Sequence, residues 1–468
     1  MSDLACCAIK RGMKRLAPVK YLFLILIIGF FLLNSGCDRD DLSNYQPTKQ
    51  SEKPLNVLMI CLDTLRADRL SCYGYDLPTS PFMDELSRHS ILLTDVLVQN
   101  PSTILSHRAI FTGNYVFRQG SGPAPESQTL AGILTKAGYA TAAFTDGGLM
   151  SLRFGNAPGF ELYNDAAGGS KRVFGRGVDW IDSNPGKPFF LFLHTYEVHY
   201  PYTPPQPFND MFLPTGEPPY HLGKDFGQEY WNNLDLKRQD FIWISRRYDG
   251  GIRYVDTIMM DLWKALVTRN LLNNTIVIIH SDHGESMGER LFVGHRDPYE
   301  PQIHIPLLFH VPGWKHAVID GAVESVDIAP TLLDLLSIKS QRSFCGQSLV
   351  SNLHNSEHLS AFRPRLSETW MRAFRLGPEW KLMLCDKDEN DRLYRLTDDP
   401  EEMTSLDKEY PEIVEELRQG LVQFMGVERT RIHKLPEAPK VPVVLMPLDG
   451  ENEENVEMQQ LRELGYIH

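Results

Sequence analysis

Residues 100–113, NPSTILSHRAIFTG, hold the hydroxyl best placed to act as a nucleophile. Asn100, Pro101 and Ser102 are helix start signals, Ile104, Leu105, Ala109, Ile110 and Phe111 continue an apolar helical pattern, and Gly113 is a stop. Thr103 therefore falls at a helix N-terminus. There, unpaired N–H groups and the positive end of the helix dipole steady an alkoxide or a tetrahedral anion by roughly 0.3–2 kcal/mol. A plain capping role for Ser102 or Thr103 is the ordinary alternative. Asp63, His194, Asp282 and His283 are of metal-binding type, although each taken singly also reads as a helix cap, a core histidine or a turn.

The elements around these residues decide whether they can meet. Residues 56–62, NVLMICL, form a continuous apolar run ending at Asp63, the pattern of a strand buried on both faces of a parallel sheet. Similar runs cover 139–145, 188–194, 275–280 and 305–311, with helix-like segments at 80–89, 129–137, 241–268 and 328–336. The alternation predicts an α/β fold, a large mostly parallel sheet sandwiched by helices. In such sheets reactive groups collect beyond the carboxyl ends of strands, where Asp63, His194, Asp282 and His283 all stand. Residues 201–220, rich in Pro, Tyr and Phe, read as a surface loop shaping a substrate entrance.

The predicted α/β domain spans 55–340. A smaller C-terminal α+β subdomain follows at 341–433, with short strands at 380–386 and 392–397, a turn at Asp398-Asp399-Pro400 and an amphipathic helix at 409–424. Residues 434–468 read as an extended tail, opened by a strap containing Pro436, Pro439, Pro442 and Pro447. The net charge of −13 argues against a nucleic-acid partner, yet leaves room for a cleft that is locally basic or metal-loaded. Cys61, Cys72, Cys345 and Cys385 show no CxxC spacing; pairing and plain burial both remain open for them.

Residues 1–37 read as an export segment. Lys10, Arg11, Lys14, Arg15 and Lys20 precede the apolar run 21–33, which is short for a bilayer span but suits a signal-peptide core. Asn34-Ser35-Gly36-Cys37 resembles a bacterial lipoprotein cleavage site, although Asn34 stands where an aliphatic residue is usual. A start at Met13 gives a more ordinary signal peptide. The expectation is a periplasmic or cell-surface protein, lipid-anchored to the membrane at Cys37, with 38–54 as a polar tether.

Six motifs in order closely resemble the sulfatase family of the alkaline-phosphatase superfamily. They are NVLMICLDTLRADRLSCYGY, NPSTILSHRAIFTG, FLHTYEVHYPYTPP, HSDHGESMGE, VDIAPTLLDLLSI and RLYRLTDDPEE, and the final LRELGYIH is similar to the ending of many bacterial members. The resemblance covers roughly 56–424. It implies an α/β sandwich with a divalent cation (Ca, Mg, Mn or Zn) held by Asp63, Asp282 and His283 and touched by Thr103, the cation acting as Lewis acid.

Departures from the family pattern sharpen the expectation. Aligned on Thr112-Gly113, the pattern C-x-P-S-R-x-x-x-x-T-G puts Thr103 at the nucleophile, Ser106 at the serine and His107 at the arginine. Family members of the usual kind convert a Cys or Ser there to formylglycine, and threonine is no substrate for that conversion. Phosphodiesterases and phosphoethanolamine or phosphoglycerol transferases of the superfamily use unmodified threonine. Thr64 replaces the second of paired aspartates, and Asp146-Gly147-Gly148 stands where a sulfate-binding Lys and His are common. His199, His194, His295 and Arg296 are left to bind ester oxygens or protonate the leaving group, and His107 joins this catalytic set.

Three readings follow: a metal-dependent hydrolase or transferase of phospho(di)esters acting through Thr103, a sulfuric ester hydrolase of arylsulfatase type, and a binding protein that kept the fold. The partner in each is an anionic ester, with a glycan or lipid head group among the carriers. The export reading has its own test. Radioactive fatty acid should label the parent, and Cys37→Ala should carry no label; equal labelling of the two, or none in either, would contradict anchoring at Cys37.

Overall fold

The structure, a computed structural model, describes residues 54–426 apart from 120–122, 156–157, 185, 217–235, 370 and 386–389. The export segment, most of the tether, the end of the 201–220 loop and the tail lie outside the described residues. The strands before residue 325 are β1 (Asn56–Leu62), β2 (Ile91–Leu97), β3 (Ala140–Phe144), β4 (Leu162–Asn164), β5 (Phe189–Thr195), β6 (Thr275–His280), β7 (Ser286–Met287), β8 (Val293–Gly294), β9 (His304–His310) and β10 (Ala317–Glu324). β7 and β8 make a short hairpin, and the other eight form one sheet in the order β10-β2-β9-β6-β1-β5-β3-β4. β9 runs against both its neighbours, and every other pair is parallel. The predicted mostly parallel sheet is present.

Helices cover both faces, as continuous apolar strands require. They are α1 (Pro81–Ser87), α2 (Thr103–Thr112), α3 (Leu130–Lys136), α4 (Gly169–Ser183), α5 (Arg238–Thr268), α6 (Glu300–Ile303), α7 (Ile328–Leu335), α8 (Val350–Asn355) and α9 (Pro411–Met425). On one face Ile110 and Phe111 of α2, Leu130 and Leu134 of α3 and Leu332 of α7 pack with Val57, Met59, Phe190, Phe192 and Ile278. Each such side chain contributes about 1.5–3 kcal/mol by leaving water. On the other face, α4 approaches β5 so closely that a Cβ on Gly177 would meet Leu193 Cδ2 at 2.7 Å. That glycine, with Gly175, is why the sequence pattern misses α4: glycine lowers helix propensity while serving close packing here.

The pattern also misses β2 and β10. Their ladder shifts register between Ile319 and Ala322, and β2 shifts against β9 between Leu93 and Val96, so bulges interrupt the apolar run at Thr94-Asp95 and Asp320-Gly321. The C-terminal sheet is an antiparallel meander of β11 (Pro364–Glu368), β12 (Met371–Leu376), β13 (Trp380–Cys385) and β14 (Arg392–Arg395). α9 packs Val414, Leu417 and Leu421 against Phe374, Leu382 and Leu384, and the same cluster takes in Leu105 and Ala109 of α2. Leu349 and Leu353, at the start of and within α8, join the main core instead.

Buried charges complete the junction. Lys381 Nζ lies 2.7 Å from Glu402 Oε1 and 3.1 Å from Glu300 Oε1, and Arg375 lies 3.0 Å from Glu300 and 3.5 Å from Asp95. Burial works against the charge on Glu300, but Arg375 and Lys381 overcome it and hold the carboxyl below its usual range. Removing one member of such a network strands the others in a low-dielectric setting. Lys381→Ala should therefore lower unfolding free energy by about 3–5 kcal/mol, read as a fall in the denaturant midpoint at unchanged m-value. A loss under about 1 kcal/mol would show the network to be solvated.

Candidate active site

The ends of β1, β5 and β6 are level. Cys61 pairs with both His194 and His280, and Leu62 pairs with Thr195, so the residues just past these positions emerge at one edge. Ser281 ties the two key loops together: its Oγ sits 2.7 Å from the Leu62 carbonyl and 2.6 Å from the His283 carbonyl, and accepts the Leu65 N–H at 2.9 Å. Thr64 takes φ 57°, a strained value for a β-branched residue, and its N–H donates to Asp282 Oδ1 at 3.3 Å.

Thr103 opens α2, with Ser102 at the N-cap making no side-chain capping bond. Gly113 closes the helix in the left-handed region at φ 62°, where a Cβ would strike Phe344 at 2.7 Å. Thr103 Oγ1 lies 3.4 Å from Asp63 Oδ2 and 3.4 Å from His283 Nε2. Asp63, Thr103, Asp282 and His283 are all fully buried. The next turn of the helix helps: Ser106 Oγ donates to the Asp282 carbonyl at 2.6 Å.

The five histidines divide into three positions. His283 Nδ1 faces the Gly284 carbonyl at 3.0 Å, which places its proton there and turns a bare Nε2 towards Thr103. His107 and His194 lie behind the carboxylates. His107 Nδ1 donates to the Thr103 carbonyl at 2.7 Å and stands 3.6 Å from Asp282 Oδ2, and His194 Nε2 meets Asp63 Oδ2 at 3.1 Å. Burial pushes both rings down from the usual histidine range, His194 further, with His107 adding to that shift. His199 and His295 form the third position, Nε2 to Nε2 at 3.3 Å, and burial pushes His199 down to about 4. Arg296 is two-thirds exposed and stacks on Phe292, away from this cluster.

Asp63 Oδ1 and Asp282 Oδ2 are buried with no hydrogen-bond partner. Burial, reinforced by the charge of Asp282, pushes the Asp63 carboxyl well above its usual range; burial also opposes charge on Asp282, but His283 and His107 hold it low. Two buried carboxylates that cannot both ionise alone, with orphan oxygens and a bare imidazole nitrogen beside them, fit a divalent cation.

Two contributors escape the sequence reading. Glu285, fully buried within HSDHGE, accepts from Tyr202 at 2.5 Å, and burial pushes its carboxyl up to about 8. Arg66 reaches the Glu285 carbonyl at 3.0 Å and Glu289 at 2.7 Å, bracing the loop after β6. Neither position breaks a local pattern, and only the third dimension brings them to the site. A cavity of about 790 Å³ beside Arg66 and Arg246 includes none of the Thr103 cluster.

The family profile described as "Sulfatase" matches residues 55–338, and one described as "N-sulphoglucosamine sulphohydrolase, C-terminal" matches 288–426. An arylsulfatase of Clostridium perfringens is 25% identical over 459 residues, 79% of this chain and 94% of that protein. Arylsulfatase K of Gallus gallus is 24% identical, over 80% of this chain and 82% of its own length. Among solved structures, one in complex with its substrate D-glucosamine-2-N,6-O-disulfate superposes at TM-score 0.66 with 20% identity, covering 83% of this chain and all of that one. The phosphonate monoester hydrolase of Agrobacterium radiobacter superposes at TM-score 0.66 with 18% identity, covering 82% and 97%. At these identities the superpositions speak for the fold.

The carboxylate pair makes a measurable demand. A proton on the Asp63–Asp282 pair must leave when a cation enters, so affinity should rise with pH through the raised Asp63 range. Calorimetric titration of metal-stripped protein in two buffers of different ionisation heat should show net proton release. Asp282→Asn should weaken binding by at least about 10-fold. Identical heats in both buffers, with pH-independent affinity, would contradict this account.

Proposed function

The chain belongs to the sulfatase family, and we propose that within it this protein is a metal-dependent hydrolase or transferase of phosphoric esters, phosphodiesters foremost, with Thr103 as nucleophile. One observation carries the reading: an unmodified threonine hydroxyl, at the start of a buried helix, points between Asp63 and His283 at 3.4 Å from each. Asp63, Asp282 and His283 are the residues that would hold the divalent cation; bound there, it supplies Lewis acidity and lowers the pKa of a hydroxyl it touches. Thr103 Oγ1 attacks phosphorus, a phosphothreonine forms, and the alcohol leaves with the proton the threonine gave up. Water or an acceptor alcohol then takes the phosphoryl group and returns the proton to Thr103.

The surrounding side chains have separable tasks. His194 holds Asp63, and His107 and Ser106 fix the first turn of α2 against Asp282. His199 and His295 meet the ester oxygens. Asp146, where the family's sulfate-binding pair is common, is instead engaged by the Gly168 and Gly169 N–H groups at 2.8 and 3.0 Å. An aspartate at that place repels an anion, which counts against sulfate recognition of the usual kind. The sulfuric ester reading is favoured by the arylsulfatases that the chain resembles along most of their length. Export, with Cys37 lipidated, belongs to the proposal as the setting in which such esters would be met.

Thr103→Ala should lower kcat by roughly 10³-fold or more while folding and metal content hold, because Ser102 and not Thr103 is the N-cap and alanine is the best helix former. Thr103→Ser should retain phosphodiesterase activity, and mass spectrometry of quenched reactions should find a phosphoryl group on Thr103. Turnover of sulfate esters alone under Mg²⁺, Ca²⁺, Mn²⁺ and Zn²⁺ would promote the sulfuric ester reading in its place.

A further inference from the structure

Cys61 stands between two histidines. In the register of the sheet it pairs with His194 of β5 on one side and His280 of β6 on the other, and residues paired across parallel strands share a face, so all three side chains leave the sheet together. α2 lies over that face through Ile110 and Phe111, and its His107 ring sits 5.2 Å from the His194 ring between centroids. One thiol and three imidazoles thus gather in the interior, behind Asp63. All four are fully buried.

Each ring has one nitrogen engaged and one bare. His107 Nδ1 donates to the Thr103 carbonyl at 2.7 Å, His280 Nδ1 donates to the Ser281 carbonyl at 2.9 Å, and His194 Nε2 meets the Asp63 carboxylate at 3.1 Å. The opposite atoms, His107 Nε2, His194 Nδ1 and His280 Nε2, are buried with no hydrogen-bond partner. Stranding one buried polar atom costs about 1–3 kcal/mol, so three around one sulfur call for a common ligand. Metal-ligating imidazoles are held in this same way, by a carbonyl or carboxylate on the nitrogen away from the ion.

The Cys61 sulfur and one ring nitrogen each of His107 and His194 lie within 4.8 Å of one another, and the Asp282 N–H donates to the sulfur. Donor atoms on one tetrahedral zinc are about 3.3–3.7 Å apart, so the gap closes with side-chain shifts of about 1 Å. We propose that Cys61, His107 and His194 bind a thiophilic cation, of zinc type, inside the α/β domain, with His280 beside them as a fourth donor. Thiolate with imidazole selects zinc over Mg²⁺ or Ca²⁺, and the thiol proton leaves as the ion enters. This ion is structural. Its soft ligands and full burial set it apart from the cation assigned to Asp63, Asp282 and His283, and it fastens α2 to β1 and β5, the elements that present Thr103 and Asp63. The inference goes beyond the phosphoric ester reading and stands whichever ester is turned over.

The test reads the ligands of the ion, independently of turnover. Full-length protein made in zinc-supplemented medium and kept reduced should carry zinc by elemental analysis, and X-ray absorption at the zinc edge should find a sulfur neighbour at about 2.3 Å beside imidazole nitrogens at about 2.0–2.1 Å. Asp282→Asn should keep that sulfur; Cys61→Ser should lose it together with one equivalent of zinc. Zinc with oxygen and nitrogen neighbours alone, or a sulfur that survives Cys61→Ser, overturns the site. Crystals of the parent need no variant to fold: an anomalous peak at the zinc edge within about 2.4 Å of Cys61 Sγ is expected, and a water or empty density in its place overturns the proposal.

Discussion

Two carboxylates out of reach of water, Asp63 and Asp282, impose the constraint on which the rest of the structure depends. Ionised side by side in a buried place they repel, and each loses hydration worth several kcal/mol. The fold answers with directed groups: the Thr64 N–H held on Asp282 by a strained backbone, His194 on Asp63, His107 beside Asp282, and Ser281 locking the two loops that carry them. These leave one oxygen on each carboxylate without a hydrogen bond. The arrangement is over-determined everywhere except where a cation would sit, the mark of a centre organised before its ligand arrives.

The position of Thr103 is set from two sides. α2 is buried along nearly all its length, with Arg108 the exception, so it lacks the single apolar stripe of a surface helix. Ile110 and Phe111 enter the main core; Leu105 and Ala109 enter the cluster built by the C-terminal sheet and α9. A hydroxyl on such a helix has little freedom to drift from its neighbours. The ion network around Lys381 and Glu300 matters to the site for a related reason. Glu300 starts the short helix whose Gln302 receives the Gly284 N–H on its carbonyl and the Arg296 and Asp297 N–H groups on its side chain.

How much of this was legible in the sequence follows from which signals are local. β1, β5, β6 and β9 are uninterrupted apolar runs, and the sheet edge they imply is where Asp63, His194, Asp282 and His283 lie. β2 and β10 are hidden by bulges, α4 by glycines that serve packing. β11 and β12 are hidden by Arg365, Arg372 and Arg375, buried arginines that read as exposed in a linear pattern. Among the site residues, His107 and His194 carry the right chemistry in the sequence, but their polar contacts run to the Thr103 carbonyl and the two carboxylates. Glu285 was visible within its motif, yet the Tyr202 hydroxyl that it accepts arrives from a loop more than eighty residues earlier in the chain. Periodicity reports which face is buried; it does not report which buried polar groups face each other.

The sharing of α2 between two cores also bears on how the chain comes to be made. Translation proceeds from the N-terminus at about 5–20 residues per second, so the sheet and its helices are complete before the last element that grips Leu105 and Ala109 exists. Leu417 and Leu421 lie more than three hundred residues beyond the threonine they help to immobilise. The Thr103 hydroxyl is therefore among the last features of the molecule to acquire its final surroundings, although it is encoded among the first. A nascent chain carries the groups of its chemistry long before it can use them.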